Sequence, residues 1–242
     1  MPKKSVSLVI PAHNSAGIIE SSLKEYSKFL SFFGKYEIIV VCNASTDNTA
    51  ELSRKFAKKN KKIKVIEIPE RGKGNAVIVG FKKAKCDIIG FMDADNVFYL
   101  PSVKRLIELV IQDKCDAAIA SKWRGTNFFK VKEPISRKML AIGWNLLSLF
   151  LFGLKFEDTQ AGCKFLKRKA FLAIQKKRNF ICKGFDFDVE LLFRLKRAGF
   201  RIKEEYVNII KIEKFSTFRL RYVPGMFWRL LRLWNKRFLN EV

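Results

Sequence analysis

The feature that most constrains this chain is a repeated alternation in its first half: a short apolar run, a polar or glycine-rich break, then apolar residues at helical spacing. Residues 6–10, 36–42, 63–68, 88–92 and 117–120 read as buried strands. Between the first two, Ile19, Leu23, Tyr26, Leu30 and Phe33 recur every three or four residues, the period of one helix face. Pro101 suits the first turn of a helix that runs to about Gln112, and Asp47 suits a helix cap. Strands separated by helices predict an α/β fold, with a mostly parallel central sheet flanked by helices.

Past residue 120 the character changes. Residues 121–133 form a basic, aromatic loop. Residues 135–154 are apolar nearly all round, with Ala141, Asn145 and Ser148 on the least apolar face, as in a helix sandwiched in a core or partly in lipid. Residues 160–166 read as a strand, 187–198 as an amphipathic helix and 201–212 as extended chain. The division expected is a catalytic domain over 1–212 and a basic amphipathic segment over 213–242.

Lys and Arg number 48 against 23 Asp and Glu, giving a formal charge of +25. That excess suits a polyanionic partner (nucleic acid, anionic lipid or a phosphorylated substrate), and a Lys-rich solvated surface would also produce it. The five cysteines form no C-x-x-C pair and read as reduced, mostly buried thiols in a cytosolic chain. The first residues lead into a run too short for a signal-peptide core. The uncharged run between Lys138 and Lys155 is shorter than the ~18 residues of a membrane span, so no transmembrane helix is expected.

The chemistry clusters at the strand ends, where open α/β sheets bind ligands. Asp93-Ala94-Asp95 follows the fourth strand directly. Two adjacent carboxylates suit a hard divalent cation shared with a diphosphate, although loop aspartates capping the next helix share this pattern. Residues 11–15 (P-A-H-N-S), 42–47 (C-N-A-S-T-D) and 71–75 (R-G-K-G-N) follow strands one, two and three. Asn43 and Asp47 offer groups for a base or ribose. Gly72 and Gly74 let backbone approach a phosphate, and Lys73 adds charge. Each segment alone is ordinary turn chemistry; their shared rim and order favour a site.

That order of motifs, continued by residues 158–164 (D-T-Q-A-G-C-K) and 185–191 (F-D-F-D-V-E-L), resembles glycosyltransferase family 2, and within it the dolichyl-phosphate glucosyl- and mannosyltransferases. The G-K-G element is more similar to the glucosyl type. The resemblance implies the GT-A fold and an inverting transfer of a hexose, glucose slightly ahead of mannose, from a nucleotide-diphospho-sugar (UDP- or GDP-hexose) to polyprenyl (dolichyl) phosphate. It implies Pro11, His13, Asn14, Asn43, Lys73, Asp93, Ala94 and Asp95 around the nucleotide sugar, and Asp93 and Asp95 on Mg²⁺ or Mn²⁺. It matches Arg137 to an acceptor-phosphate arginine, and Lys122 stands where the family often has Arg. The chain departs from the family at His13, where Tyr is usual, at Ser15 for Glu, and at residues 42–45, where D-D-G-S reads C-N-A-S. Val97 replaces a Gln that helps hold the metal in mannosyl-type enzymes, leaving Asn96 as the nearest substitute.

An anionic phosphate acceptor needs no strong base; it needs cations that offset repulsion from the donor diphosphate. Lys122, Arg124, Arg137 and Lys164 are the candidates. Asp95, Lys122, Arg137 and Asp188 form the expected catalytic set, with Asp188 on the acceptor side and Glu190 as a helix N-terminal partner. In residues 225–239, Met226, Phe227, Leu230, Leu231, Trp234 and Phe238 share one face, and Arg229, Arg232 and Lys236 lie opposite. This predicts an interfacial helix and peripheral contact with the cytoplasmic face of a membrane, or a terminal helix packed on the core. Transfer to a sugar hydroxyl, nucleic-acid binding and an inactive membrane-docking scaffold are the rivals. The acidic D-A-D and the lack of a nucleic-acid module count against nucleic acid.

Overall fold

The computed structural model describes residues 4–125, 135–177, 179–210 and 219–238. The strands predicted in the first half form as expected: β1 (Val6–Ala12), β2 (Tyr36–Asn43), β3 (Ile63–Ile68), β4 (Ile88–Met92) and β5 (Ala117–Ser121). With β6 (Cys163–Lys167) and β7 (Ile202–Tyr206) they build one seven-stranded sheet in the order β3-β2-β1-β4-β6-β5-β7. All neighbours are parallel except β6, which runs antiparallel to both β4 and β5.

Strand periodicity divides the core between two faces. Leu8, Ile10, Ile38 and Val40 point to one side, under α1 (Ile19–Leu30), α2 (Thr49–Lys59) and α4 (Leu100–Ile111). Val9, Ile39 and Val41 point to the other, under α3 (Lys73–Lys83), α6 (Arg168–Lys177) and α7 (Phe187–Arg197). The predicted face of α1 is the buried one: Ile19, Leu23, Tyr26 and Leu30. α7 is not amphipathic as expected, because every residue from Phe187 to Leu195 is buried. α6 was not apparent in the sequence, where its Lys- and Arg-rich composition masks a buried stripe of Ala170, Phe171 and Ile174.

A third apolar cluster joins α5 (Ile135–Phe152) and α8 (Val223–Phe238) to α7. α5 is oriented inside out. Trp144, Ser148 and Leu151 face the protein, whereas Ile135, Met139, Leu146, Leu149 and Phe150 are exposed, Phe150 at 84%. α8 buries Met226, Leu230 and Leu233, so the terminal helix packs on the core through this face. Of the expected apolar face, Met226 and Leu230 are buried and Leu231 and Trp234 pack partly buried against the same cluster, while Phe227 is exposed. Among the described residues no helix is long and apolar enough to cross a membrane.

Candidate active site

In an open sheet the crevice lies beyond the carboxyl ends of the strands where the order reverses. Here that point is between β1 and β4, since β2 and β3 extend from one side of β1 and β4 from the other. Three non-glycine residues with positive φ follow these strands: Asn14 (φ 50°) after β1, Ala44 (φ 50°) after β2 and Asn96 (φ 45°) after β4. Such conformations cost energy and gather where a chain must re-aim side chains. A cleft of about 670 Å³ opens at this place, and Pro11, His13, Asn43, Lys73, Asp93, Ala94, Asp95 and Lys122 all line it.

α1 holds the acidic loop from beneath. Tyr26 Oη donates to the Asp93 carbonyl (2.7 Å) and Ser22 Oγ to the Ala94 carbonyl (2.5 Å). Burial, reinforced by Asp95 and Asp93, pushes the Tyr26 phenol far up, so it remains a donor. Asn96 is buried and donates to Glu25 rather than facing the cleft as a metal ligand. Lys73, at the start of α3, reaches the Asp93 carboxylate at 2.8 and 3.1 Å. Gly162 backs the same carboxylate so closely that any Cβ there would overlap it. The loop before α3 turns at Gly72 (φ +144°), against the Lys183 carbonyl. Gly74 N–H and Asn75 N–H donate to the carbonyls of Gly184 (3.1 Å) and Lys183 (2.9 Å).

The base-side loops are tied to each other. With its amide oxygen and nitrogen assigned so that both groups are satisfied, Asn43 donates to the Ala12 carbonyl (2.9 Å) and accepts from Gly72 N–H (3.2 Å), bracing two loops. Asn14 Oδ1 accepts from Thr46 N–H (2.8 Å), outside the cleft lining. Asp47 accepts from the N–H groups of Thr49 and Ala16, each at 3.0 Å, so it ties the loops after β1 and β2 together one residue before Asn48, which is the N-cap of α2 in place of the expected Asp47, and it does not line the cleft. His13 Nδ1 lies 2.8 Å from the Asn43 carbonyl oxygen.

On the acceptor side, Lys122 lines the cleft, and its backbone N–H donates to Asp158 (3.3 Å). Burial pushes the Asp158 carboxyl up, against the opposing pull of Lys122 and Lys164. Two expectations are corrected. Lys164 and Asp188 lie beneath the cleft floor as a closed ion pair (2.6 Å), each side chain only 2% exposed, and neither lines the cleft. Arg124 stands outside the cleft facing Glu204 (3.7 Å) and Glu157 (4.0 Å). Arg137 belongs to the first turn of α5, and its side chain lies outside the described residues. Glu190 is structural: it accepts from Cys182 N–H (2.6 Å) and pairs with Arg194 (2.6 Å).

Sequence reading missed four cations that line the cleft: Arg71, Lys183, Arg221 and Arg229. Arg71 was visible beside the glycine pair, and the tail was visibly basic, but nothing local showed that α8 folds back over the cleft. Arg229 binds the buried Asp186 carboxylate at 2.6 and 3.0 Å, which fixes α8 to the segment preceding α7. With six basic side chains against Asp93 and Asp95, the cleft suits a polyanion that brings or shares a cation. The described residues contain no cluster of three metal-ligating side chains. Two hard carboxylates do fit Mg²⁺ or Mn²⁺ if phosphate oxygens complete the sphere.

The profile of Glycosyl transferase family 2 matches residues 7–174, and the chain belongs to that family. It is 29% identical over 234 residues to the glycosyltransferase AglD of Haloferax volcanii, covering 95% of this chain and 37% of that protein. It is 32% identical over 219 residues to a dolichyl-phosphate beta-glucosyltransferase of Saccharomyces cerevisiae, covering 82% of this chain and 65% of that one. The chain thus spans less than two thirds of the length of both. Among solved structures, a Mycobacterium tuberculosis glucosyl-3-phosphoglycerate synthase with Mn²⁺ and UDP-glucose superposes with a TM-score of 0.68 at 18% identity, over 94% of this chain and 77% of that one. A Pyrobaculum calidifontis mannosyltransferase with GDP-mannose and Mn²⁺ gives 0.60 at 18% identity, over 94% and 64%. These likenesses establish the GT-A architecture.

Proposed function

We propose that this chain transfers a hexose from a nucleotide-diphospho-sugar to a polyprenyl phosphate at a membrane surface. The observation that carries the reading is one cleft holding the Asp93–Asp95 pair and six cations, with its mouth framed by α5 and α8. The relatives named for dolichyl-phosphate glucosyl transfer and for undecaprenyl-phosphate mannosyl transfer support the acceptor class. The Lys73 ammonium and, through a shared cation, the carboxylates of Asp93 and Asp95 would receive the donor diphosphate. Asp93 and Asp95 would hold Mg²⁺ or Mn²⁺, which supplies charge stabilisation to the leaving diphosphate. Lys122, joined by Lys183 and Arg221, would hold the acceptor phosphate beside a donor of like charge. A phosphate oxygen attacks the anomeric carbon as its bond to the nucleotide diphosphate breaks, and this single in-line displacement inverts the centre. No general base is required, which agrees with the burial of Asp188.

The membrane contact follows from α5 and α8. α5 lines the cleft through Leu140, Ala141 and Trp144 and carries its exposed apolar stripe on the outside; α8 adds Phe227 and Trp228, the latter 68% exposed. An exposed apolar strip beside a cationic cleft fits an anionic bilayer on its cytoplasmic face, where a lipid phosphate meets the cleft mouth. The test is release of nucleoside diphosphate from UDP-glucose and GDP-mannose, with and without divalent metal and polyprenyl phosphate. Transfer that needs both and is abolished in a folded Asp95→Ala variant is expected. Full activity in excess EDTA or without lipid phosphate would overturn the reading.

A further inference from the structure

The six cations of the cleft differ in the company they keep. Lys73 is engaged by Asp93, Arg229 by Asp186, and Lys122 lies beside the buried Asp158. Arg71, Lys183 and Arg221 are exposed, line the cleft and make no ion pair among the described residues. They come from three segments: the turn before α3, the loop before α7, and the 3₁₀ turn Leu220–Tyr222 ahead of α8. The first two segments are fixed together, because Asn75 N–H donates to the Lys183 carbonyl (2.9 Å). Tyr222 collects the guanidiniums: Arg71 lies 5.6 Å and Arg221 5.4 Å from its ring centroid. The same ring stacks on Phe185, two residues past Lys183, at 6.3 Å and 27°. Contact with a ring face orients a guanidinium and leaves its charge uncompensated. What holds the tail in this arrangement is Arg229, about two helical turns beyond Tyr222, which grips the buried Asp186 carboxylate at 2.6 and 3.0 Å.

We propose that Arg71, Lys183 and Arg221 form a metal-free anion subsite for the phosphate monoester of the acceptor, with Arg229 and Asp186 as the latch that positions Arg221. The cleft separates two kinds of anion. A diphosphate that shares a divalent cation suits Asp93 and Asp95, the acidic side chains lining the cleft. The corner around Tyr222 offers three positive charges and no carboxylate, so it suits an anion that arrives without a metal. A phosphate monoester carries ~1.5–2 negative charges near neutral pH, and its oxygens match the guanidinium fork. Orientation of both guanidiniums by one ring lowers the entropy that a ligand must overcome to engage them. This rests on the polyprenyl-phosphate reading and adds Arg71, the Tyr222 ring and the latch. The terminal helix then serves the site itself as well as the membrane face.

The test is equilibrium binding of citronellyl phosphate, a soluble short-chain monoester, to the whole chain, without metal and again with UDP or GDP and Mn²⁺ present. Nucleotide affinity is measured in parallel. Arg71→Gln and Arg221→Gln should each weaken the monoester about five- to ten-fold and leave nucleotide affinity within about two-fold. Inorganic phosphate should compete with the monoester in the wild-type chain and lose that competition in Arg71→Gln, which assigns the corner to the headgroup rather than the hydrocarbon. Arg229→Gln should weaken the monoester as much as Arg221→Gln, and the double variant should lose no more than either, because the latch acts through Arg221. Arg71 and Arg221 are exposed, so their variants decide the question even if Arg229→Gln folds poorly. Loss of nucleotide affinity with monoester binding intact would give these cations to the donor and overturn the proposal. Unchanged binding of both ligands would make them solvated surface charge and overturn it equally. A wild-type chain that binds nucleotide and no monoester would instead bring down the polyprenyl-phosphate reading.

Discussion

Replacing Asp188 by Asn removes one charge from a pair that the structure buries almost completely, and its cost can be anticipated. Lys164 Nζ sits 2.6 Å from Asp188 Oδ1, both side chains are 2% exposed, and the same ammonium donates to the Ala161 carbonyl at 2.8 Å. At an effective dielectric of 20 the Coulomb attraction at this separation is about 6 kcal/mol. Part of it offsets desolvation, and breaking one side of such a pair typically costs about 3–5 kcal/mol, because the partner stays buried without compensation. For a chain of this size that is roughly 6–20 °C in Tm. The double variant Lys164→Met/Asp188→Val removes both charges at nearly constant volume and should return to within about 1–2 kcal/mol of the parent. Thermal and urea unfolding followed by circular dichroism give the stabilities, and the acceptor KM of the double variant gives the function. The structural assignment expects an acceptor KM close to the parent's. If Asp188→Asn left stability within 1 kcal/mol while the double variant lost acceptor use, the pair would have to contact substrate and the reasoning would be wrong.

Gly162→Ala should displace the Asp93 carboxylate, which the new Cβ would overlap, and weaken Mn²⁺-dependent UDP or GDP binding at least ten-fold; calorimetry showing unchanged nucleotide affinity would remove Asp93 from the donor site. Leu146→Ser with Phe150→Ser, side chains 60% and 84% exposed, should lower salt-resistant liposome partitioning by roughly 2–4 kcal/mol together, while Arg232→Gln lowers only the salt-sensitive part. Sedimentation with no binding to anionic vesicles at low salt would refute the docking face. Burial would raise the Asp116 carboxyl, but hydrogen bonds from Lys167 (2.6 Å) and the Arg201 backbone (2.9 Å) outweigh it and hold the pKa at about 2, below the ordinary 3.8. A depressed folded-state pKa stabilises above the unfolded value and is lost as pH falls from about 4 to about 2. Asp116→Asn should therefore cost on the order of 2 kcal/mol at pH 7, with the gap to the parent closing below pH 4, and a pH-independent gap in urea midpoints would contradict this.

What the sequence determined by itself is the sheet's first half and the rim it carries. Strands of β-branched residues that give way to polar or glycine-rich breaks state their own approximate boundaries, although β1 runs through Pro11 to Ala12, and parallel connection then brings their carboxyl ends to one side. The rim placement of residues 11–15 and 71–75 and of Asp93 and Asp95 needed nothing further, whereas Lys122 was placed by the resemblance to the family. What only the tertiary structure decided is which polar groups still face the cleft once their neighbours are in place. Lys164 and Asp188 read as solvent-facing ligands, and Asn43 and Asp47 as nucleotide contacts, because sequence records a charge or an amide but not the partner that arrives from 20 or more residues away. β6 inserts antiparallel between β4 and β5, a placement no local pattern encodes. The inward face of α5 was equally hidden, since a helix apolar nearly all round gives no direction. Its more polar side turns inward, where Asn145 accepts from the Thr159 hydroxyl and the buried Ser148 hydroxyl donates to the Trp144 carbonyl, leaving the greasier side outermost. A side chain's chemistry is local, but its burial and its partner are properties of the whole packed chain.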